Sequence, residues 1–300
     1  MALVLQVEWL TLSPVAKQIL MNKLIKTALM YSPIGRVLGK IPFVPDIYLR
    51  KVWAKRINLF YGLFNSYQEA VDFAARHTKI GWDDPDLARL LIGEHNPPSP
   101  DVPMTFQTSQ YAVLLWLSKL LAAGSRVIDL GGAGGTFYEL AGHFGLMPAG
   151  ALWHVVDMPE VVRLGQARHE RLGSQGISFG STLSEIAESD ILIALGVLQY
   201  MPDPLGQAGE GILEALDHLP RHILINKLPI SDAPDVWSLQ NELTTACPYR
   251  LFNRGAFMAY FEGHGYHLRD HWIVPELSAD IPFHPQNSLA AFEGFYFIRD

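Results

Sequence analysis

The chain has 300 residues, 49% of them hydrophobic and 18% charged, a globular composition that excludes a disordered or fibrous protein. Its formal net charge of -7 argues against a general nucleic-acid binder. A single cysteine, Cys247, excludes an intrachain disulfide and a cysteine-rich metal site; it reads as a packing residue and fits a reducing, cytoplasmic setting.

Charge is uneven along the chain. Residues 1–60 hold nine Lys or Arg against Glu8 and Asp46, a net +7, so the rest carries -14. Ser13-Pro14 reads as a helix start, a capping hydroxyl followed by proline in the first turn. Beyond it Leu20, Met21, Leu24, Ile25 and Ala28 share one face and Gln18, Asn22, Lys23 and Lys26 the other. Such a basic amphipathic helix suits docking on the main domain or a partner subunit, or lying on an anionic membrane surface. No uncharged apolar run reaches about 18 residues, so no transmembrane segment is expected, and no secretory-signal layout opens the chain. A second helix is expected at Ser66–Arg76, with Glu69 in its first turn.

The proline-rich run at 93–103 cannot be helix or central strand. It divides the chain into a mainly helical N-terminal region, 1–100, serving as a cap or a homodimer contact, and a ligand-binding domain, 101–300. In the second part short β-rich runs alternate with helical stretches. Strands are expected at Arg126–Leu130, Leu152–Asp157, Ile177–Gly180, Ile191–Leu195, His222–Asn226, His267–Val274 and Gly294–Ile298. Helices are expected at Thr136–Phe144, Pro159–Arg171, Leu183–Ala187, Gly206–Leu219 and Arg254–Gly263. The alternation predicts an α/β fold, a parallel sheet with helices on both faces. The last two strands, with no helix between them, predict an antiparallel pair at one sheet edge.

The first strand runs into Asp129-Leu130-Gly131-Gly132-Ala133-Gly134-Gly135. A dinucleotide fingerprint fails, because Phe137 holds its last glycine position in one register and Ala133 its third in the other. A Walker loop fails for want of a following Gly-Lys-Ser/Thr. What remains is acid-x-Gly-x-small-x-Gly, which resembles the first motif of class I S-adenosylmethionine-dependent methyltransferases, with Ala133 in place of the middle glycine. The second strand ends in Asp157, 22 positions after Gly135, where a carboxylate can accept both ribose hydroxyls of an adenosine group. Met158 offers an apolar contact for an adenine face. The run Asp157–Val162 is similar to the Asp-Leu-Pro-x-Val-Val run of plant-type small-molecule O-methyltransferases. After the third strand Ser181 stands where many methyltransferases carry an acid for the adenine amino group, and Leu195 ends the fourth.

Val197–Asp203 resembles the fourth methyltransferase motif, where methyl transfer would occur. The plant-type enzymes carry a histidine base where this chain has Gln199, which cannot act as a base; Tyr200 is the remaining catalytic candidate. Gln199, Tyr200, Gln240, Asn241 and Arg250 are candidate acceptor-binding groups, the last three on segments expected to lie over the same crevice. The histidines show no shared metal spacing, so no metal is expected. Tyr61–Ala70, Ile80–Asp83, Val127–Gly135, Trp153–Gly165, Ile177–Leu183, Val197–Pro204 and Pro248–Asn253 together resemble a bacterial group, the LIC12133 family of methyltransferases, over roughly residues 60–275. The chain departs from that group's Glu-Arg-Asp-like run before the first strand, having Phe106-Gln107-Thr108-Ser109. The resemblances imply S-adenosyl-L-methionine as cofactor and methyl transfer to an oxygen or nitrogen of a small molecule, a sugar or natural-product intermediate. The absence of a base at Gln199 keeps open a non-catalytic binding or scaffold protein of the same fold.

Overall fold

A computed structural model describes residues 32–55, 58–81, 84–92, 107–186, 188–242 and 245–300. The basic helix expected after Ser13 and the link expected at 93–103 lie outside them. The described N-terminal part holds α1 (Pro33–Leu38), α2 (Val44–Lys51), β1 (Phe60–Phe64), α3 (Tyr67–Ala75), β2 (Lys79–Ile80) and α4 (Pro85–Leu91). Helix α3 starts as its sequence dictates. Ser66 Oγ accepts the Glu69 amide at 3.1 Å, and Glu69 Oε2 accepts the Asn65 amide at 2.8 Å.

After α5 (Thr108–Leu120) come β3 (Arg126–Leu130), α6 (Thr136–His143), β4 (Leu152–Val156), α7 (Pro159–Leu172), β5 (Ile177–Gly180), β6 (Ile191–Leu195) and β7 (His222–Leu228). The chain continues through β8 (Ile230–Ser231), β9 (Val236–Glu242), β10 (Thr245–Asn253), α8 (Arg254–Gly263), β11 (Tyr266–Val274) and β12 (Phe292–Arg299). Seven strands form one sheet in the order β11-β12-β7-β6-β3-β4-β5. Strand β12 runs antiparallel to β7 and β11, and the pairs from β7 to β5 are parallel. This is a Rossmann-like sheet of the class I methyltransferase kind. The antiparallel pair lies at one edge as expected, but the antiparallel strand itself is one place in, because β11 pairs outside it.

Helices cover both faces of this sheet. Ile128, Leu192, Ile223 and Ile225 pack with Phe257 and Phe261 of α8 on one side. Val127, Val155, Ile193 and Leu224 pack with Val113 and Leu117 of α5 and Leu140 of α6 on the other. A strand buried on both faces reads as a continuous apolar run, which is why these strands are visible in the sequence.

A second sheet was not expected. Its order is β1-β9-β10-β2, with β8 also pairing β10. Residues 236–242 and 245–253, given no element from the sequence, therefore form strands, joined by a β1 lying some 180 residues earlier in the chain, with Phe60 opposite Gln240. Two expected helices are corrected. Leu183–Glu185 is a single 3-10 turn. Residues 206–219 form turns: Gly206 takes φ +60°, and Asp203 accepts the Gln207 and Ala208 amides at 2.8 and 2.7 Å. Each of Gly206, Gly209 and Gly211 would cost a helix roughly 1 kcal/mol. Helix α5, for its part, lacks a strongly one-sided pattern: Leu117 is buried while Leu115 is exposed. No helix among the described residues is long and apolar enough to cross a membrane.

Candidate functional site

The five parallel strands deliver their following loops to one edge. Leu130 is level with Val156 and Ala194, Val156 with Gly180, and Leu195 with Asn226. In an open α/β sheet ligands bind beyond these carboxyl ends.

The glycine loop turns through three left-handed residues, Gly131 at φ +69°, Ala133 at +51° and Gly135 at +81°. A Cβ on Gly131 would stand 2.5 Å from Val197, on Gly132 2.4 Å from the Asp129 carboxyl carbon, and on Gly135 2.7 Å from Ile177. These collisions are all with the protein itself. Glycine is required here by packing, so the glycines alone do not argue for a ligand. Ala133 carries its methyl in a conformation that favours glycine.

Beneath the loop, Asp129 is 1% exposed and accepts the indole N–H of fully buried Trp153 at 3.0 Å. Burial pushes its carboxyl up to about 7; Trp153 opposes the shift and Asp157 adds to it. The acid is a support under the loop. His169 of α7 is a second support, and one the sequence did not disclose. Its Nε2 lies 2.8 Å from the Gly134 carbonyl and its Nδ1 2.8 Å from Ser174 Oγ. A carbonyl only accepts, so Nε2 carries the proton. Ile92, following α4, packs over the loop within 3.0 Å of where a Cβ on Gly134 would be. The N-terminal region thus contributes a wall to this site.

Asp157 follows β4. Its Oδ2 accepts the Ala133 amide at 2.8 Å and its Oδ1 the Met158 amide at 2.7 Å. Burial raises its pKa, and the Met158 and Ala133 amides oppose the rise. Each oxygen keeps a second lone pair for a ligand hydroxyl. Met158 is 41% exposed beside it, and Ser181 is exposed after β5. Leu195 is half-buried at the end of β6. Carboxylate, exposed thioether and left-handed loop share one edge, a donor and acceptor set that fits an adenosine-bearing group.

The other candidates divide by face. Gln199 and Tyr200 form a 3-10 turn after β6. Gln199 is 4% exposed; its Nε2 donates to the Gly196 carbonyl at 3.0 Å, and its Oε1 is buried with no hydrogen bond. The Tyr200 hydroxyl donates to Gln240 Oε1 at 2.7 Å, across the gap between the sheets. Burial, with Tyr249 and Glu242 adding, drives its pKa well above 10, so the phenol stays protonated. Asn241 points to the opposite face of β9, accepting the Leu59 amide at 2.8 Å and donating to the Trp53 carbonyl. Arg250 is 2% exposed, bonded to Gln207 at 2.6 Å and to Asp235 at 3.1 Å, with Trp237 and Phe252 rings on its guanidinium. Asn241 and Arg250 are occupied inside the second sheet. Among the described residues no His, Cys, Asp and Glu cluster is placed to hold a metal ion.

No protein-family model and no curated protein matches the chain. Solved structures with a similar course include the magnesium protoporphyrin IX methyltransferase of Synechocystis with bound S-adenosylhomocysteine: 16% identity over 73% of this chain and 96% of that one, TM-score 0.46. The [4+2]-cyclase SpnF is 11% identical over 81% of this chain and 99% of its own, TM-score 0.48. A methyltransferase from Geobacter sulfurreducens, also with S-adenosylhomocysteine, is 13% identical over 71% and 98%, TM-score 0.37. Strand order and register define the fold.

Proposed function

We propose that the protein binds S-adenosyl-L-methionine and transfers its methyl group to an oxygen or nitrogen of a small molecule. One observation carries the reading: Asp157 meets the loop after β3 across the carboxyl edge of the sheet, 2.8 Å from the Ala133 amide. Asp157 would accept the ribose hydroxyls and Met158 would cover the adenine, with Ser181 beside it. Gly131, Gly132 and Gly135 would pass the aminoacyl end close to the backbone, over Asp129. When bound, the cofactor supplies an electrophilic methyl on a sulfonium, poised for in-line displacement. The chain's own work is to align the acceptor and exclude water near Leu195, Gln199 and Tyr200. The cap role for residues 1–100 is favoured over a dimer contact, since β1 joins the second sheet and Ile92 walls the loop.

A second reading rests on Gln199 and Tyr200. Neither offers a base: one is an amide, the other a protonated phenol bonded to Gln240. A protein that binds the cofactor without using it fits those facts. Incubation with methyl-labelled cofactor and a low-mass cell extract separates the two. Labelled small-molecule product supports transfer; binding with no product in any fraction supports the second reading.

A further inference from the structure

Lys227 is absorbed by nothing described so far. It lies on β7 near its carboxyl end, level with the loop after β6, and takes φ +59°, a left-handed conformation that a lysine adopts only at a cost. Its stem crosses Gly196: a Cβ there would stand 3.4 Å from Lys227 Cδ and 3.8 Å from Gln199 Nε2. The side chain is half-buried, and among the described residues no hydrogen bond or ion pair holds its ammonium. Glu276 is the acid it feels, but that carboxylate is engaged with the Ser109 amide at 2.9 Å. Burial lowers the lysine pKa. One buried polar atom nearby lacks a partner, Gln199 Oε1. Buried polar groups are otherwise almost always bonded, so an unsatisfied amide oxygen beside a half-buried, unpaired lysine at one strand end marks a place for a ligand.

Strand order says which ligand. Lys227 is on β7, separated from the glycine loop on β3 by β6. Two strand spacings of about 4.8 Å put it roughly 10 Å from the cofactor loop. On the methyltransferase reading, a group there would face the acceptor.

We infer that Lys227 anchors an anionic group, a carboxylate or a phosphate, on the methyl acceptor, with Gln199 Oε1 receiving a hydrogen bond from the same molecule. The inference rests on the methyltransferase reading and narrows its substrate class. A neutral sugar or alcohol would cover the ammonium without pairing it, which costs more than leaving it in water.

The test uses full-length protein saturated with S-adenosylhomocysteine, its lysines carrying 13C-methyl groups. The Lys227 resonance is the one missing from Lys227→Arg. It is expected to shift saturably on titration with inorganic phosphate or with benzoate, and not with chloride at equal ionic strength. A response to phosphate alone assigns a phosphate ester, and to benzoate alone a carboxylate. A resonance indifferent to both overturns the inference while leaving cofactor binding intact. So does a shift produced by S-adenosylhomocysteine but not by methylthioadenosine, which would give Lys227 to the cofactor's carboxylate. Failure to bind S-adenosylhomocysteine at all would instead strike the methyltransferase reading. With labelled product in hand, Lys227→Met is expected to raise acceptor KM about 10–100-fold, with cofactor KM unchanged and Lys227→Arg within about fivefold of the parent. Equal losses in Met and Arg variants contradict an anion anchor.

Discussion

The two sheets treat their polar residues in opposite ways. The second sheet consumes them: Arg250 is bonded to Asp235 and Gln207, Asn241 to Leu59 and Trp53, and Ser238 to the Gly62 carbonyl at 3.0 Å. The carboxyl edge of the first sheet leaves several with capacity to spare. Asp157 holds two amides and retains lone pairs, Gln199 Oε1 is unbonded, and the Lys227 ammonium is unpaired among the described residues. Groups that are fully bonded inside the protein hold it together; groups with unused capacity at a strand end are the ones available to a ligand. The contrast sorts candidate residues that the sequence alone placed in one list.

Breaking the second sheet should therefore affect stability and not ligand binding. Arg250→Ala strands Asp235 in a partly buried position and is expected to cost about 3–5 kcal/mol, read from the urea midpoint. The affinity of the surviving folded protein for S-adenosylhomocysteine should be unchanged; a matching loss of affinity would erase the distinction between the sheets.

Asp129 sharpens the comparison from the other side, because it is buried in the first sheet and bonded to Trp153. Its folded pKa of about 7 lies above the ordinary carboxylate value of 3.8. Between those limits the unfolded chain releases a proton that the folded protein keeps, so this group's contribution to stability falls as pH rises toward 7 and then levels off. Asp129→Asn keeps an acceptor for the indole and removes the titration. Its stability relative to the parent should improve by roughly 2–3 kcal/mol between pH 5 and pH 8. A difference independent of pH would show that the acid is not held protonated.

The smallest effect belongs to the loop. Ala133→Gly relieves a left-handed alanine and is expected to stabilise by about 0.5 kcal/mol, after the entropy that glycine adds to the unfolded chain. A thermal midpoint lowered by this change would mean that the methyl packs against Ile92 more profitably than the strain costs.

How much of this was readable in the sequence follows from range. Strands β3 to β7 are local runs visible in the sequence, and β3 and β4 were found with their acids, Asp129 and Asp157. Asp129, Gly131 and Asp157 accordingly lie on the carboxyl side of the parallel strands. The second sheet eluded the sequence because β9 pairs with β1, from a distant segment, and because Pro248 interrupts β10, where proline argues against a central strand. The turns at 206–219 mimic a helix through Ile212, Leu213 and Leu216, which are buried as a helix face would be. Tertiary partners override the pattern there: the Tyr260 hydroxyl takes the Leu213 amide at 2.9 Å and bonds to Glu214 at 2.6 Å. His169 and Lys227 carried no signal at all, since neither belongs to a motif and each acts through a neighbour fixed only by the fold.

Asp157 and the loop it touches are proposed to bind an adenosine-bearing methyl donor. Isothermal titration calorimetry with S-adenosylhomocysteine addresses this without an acceptor. The account predicts saturable one-site binding by the full chain and a loss of about 100-fold in Asp157→Ala, the equivalent of roughly 2.7 kcal/mol from hydrogen bonds to a charged acceptor. No binding by the parent protein, or equal binding by the folded variant, would contradict it.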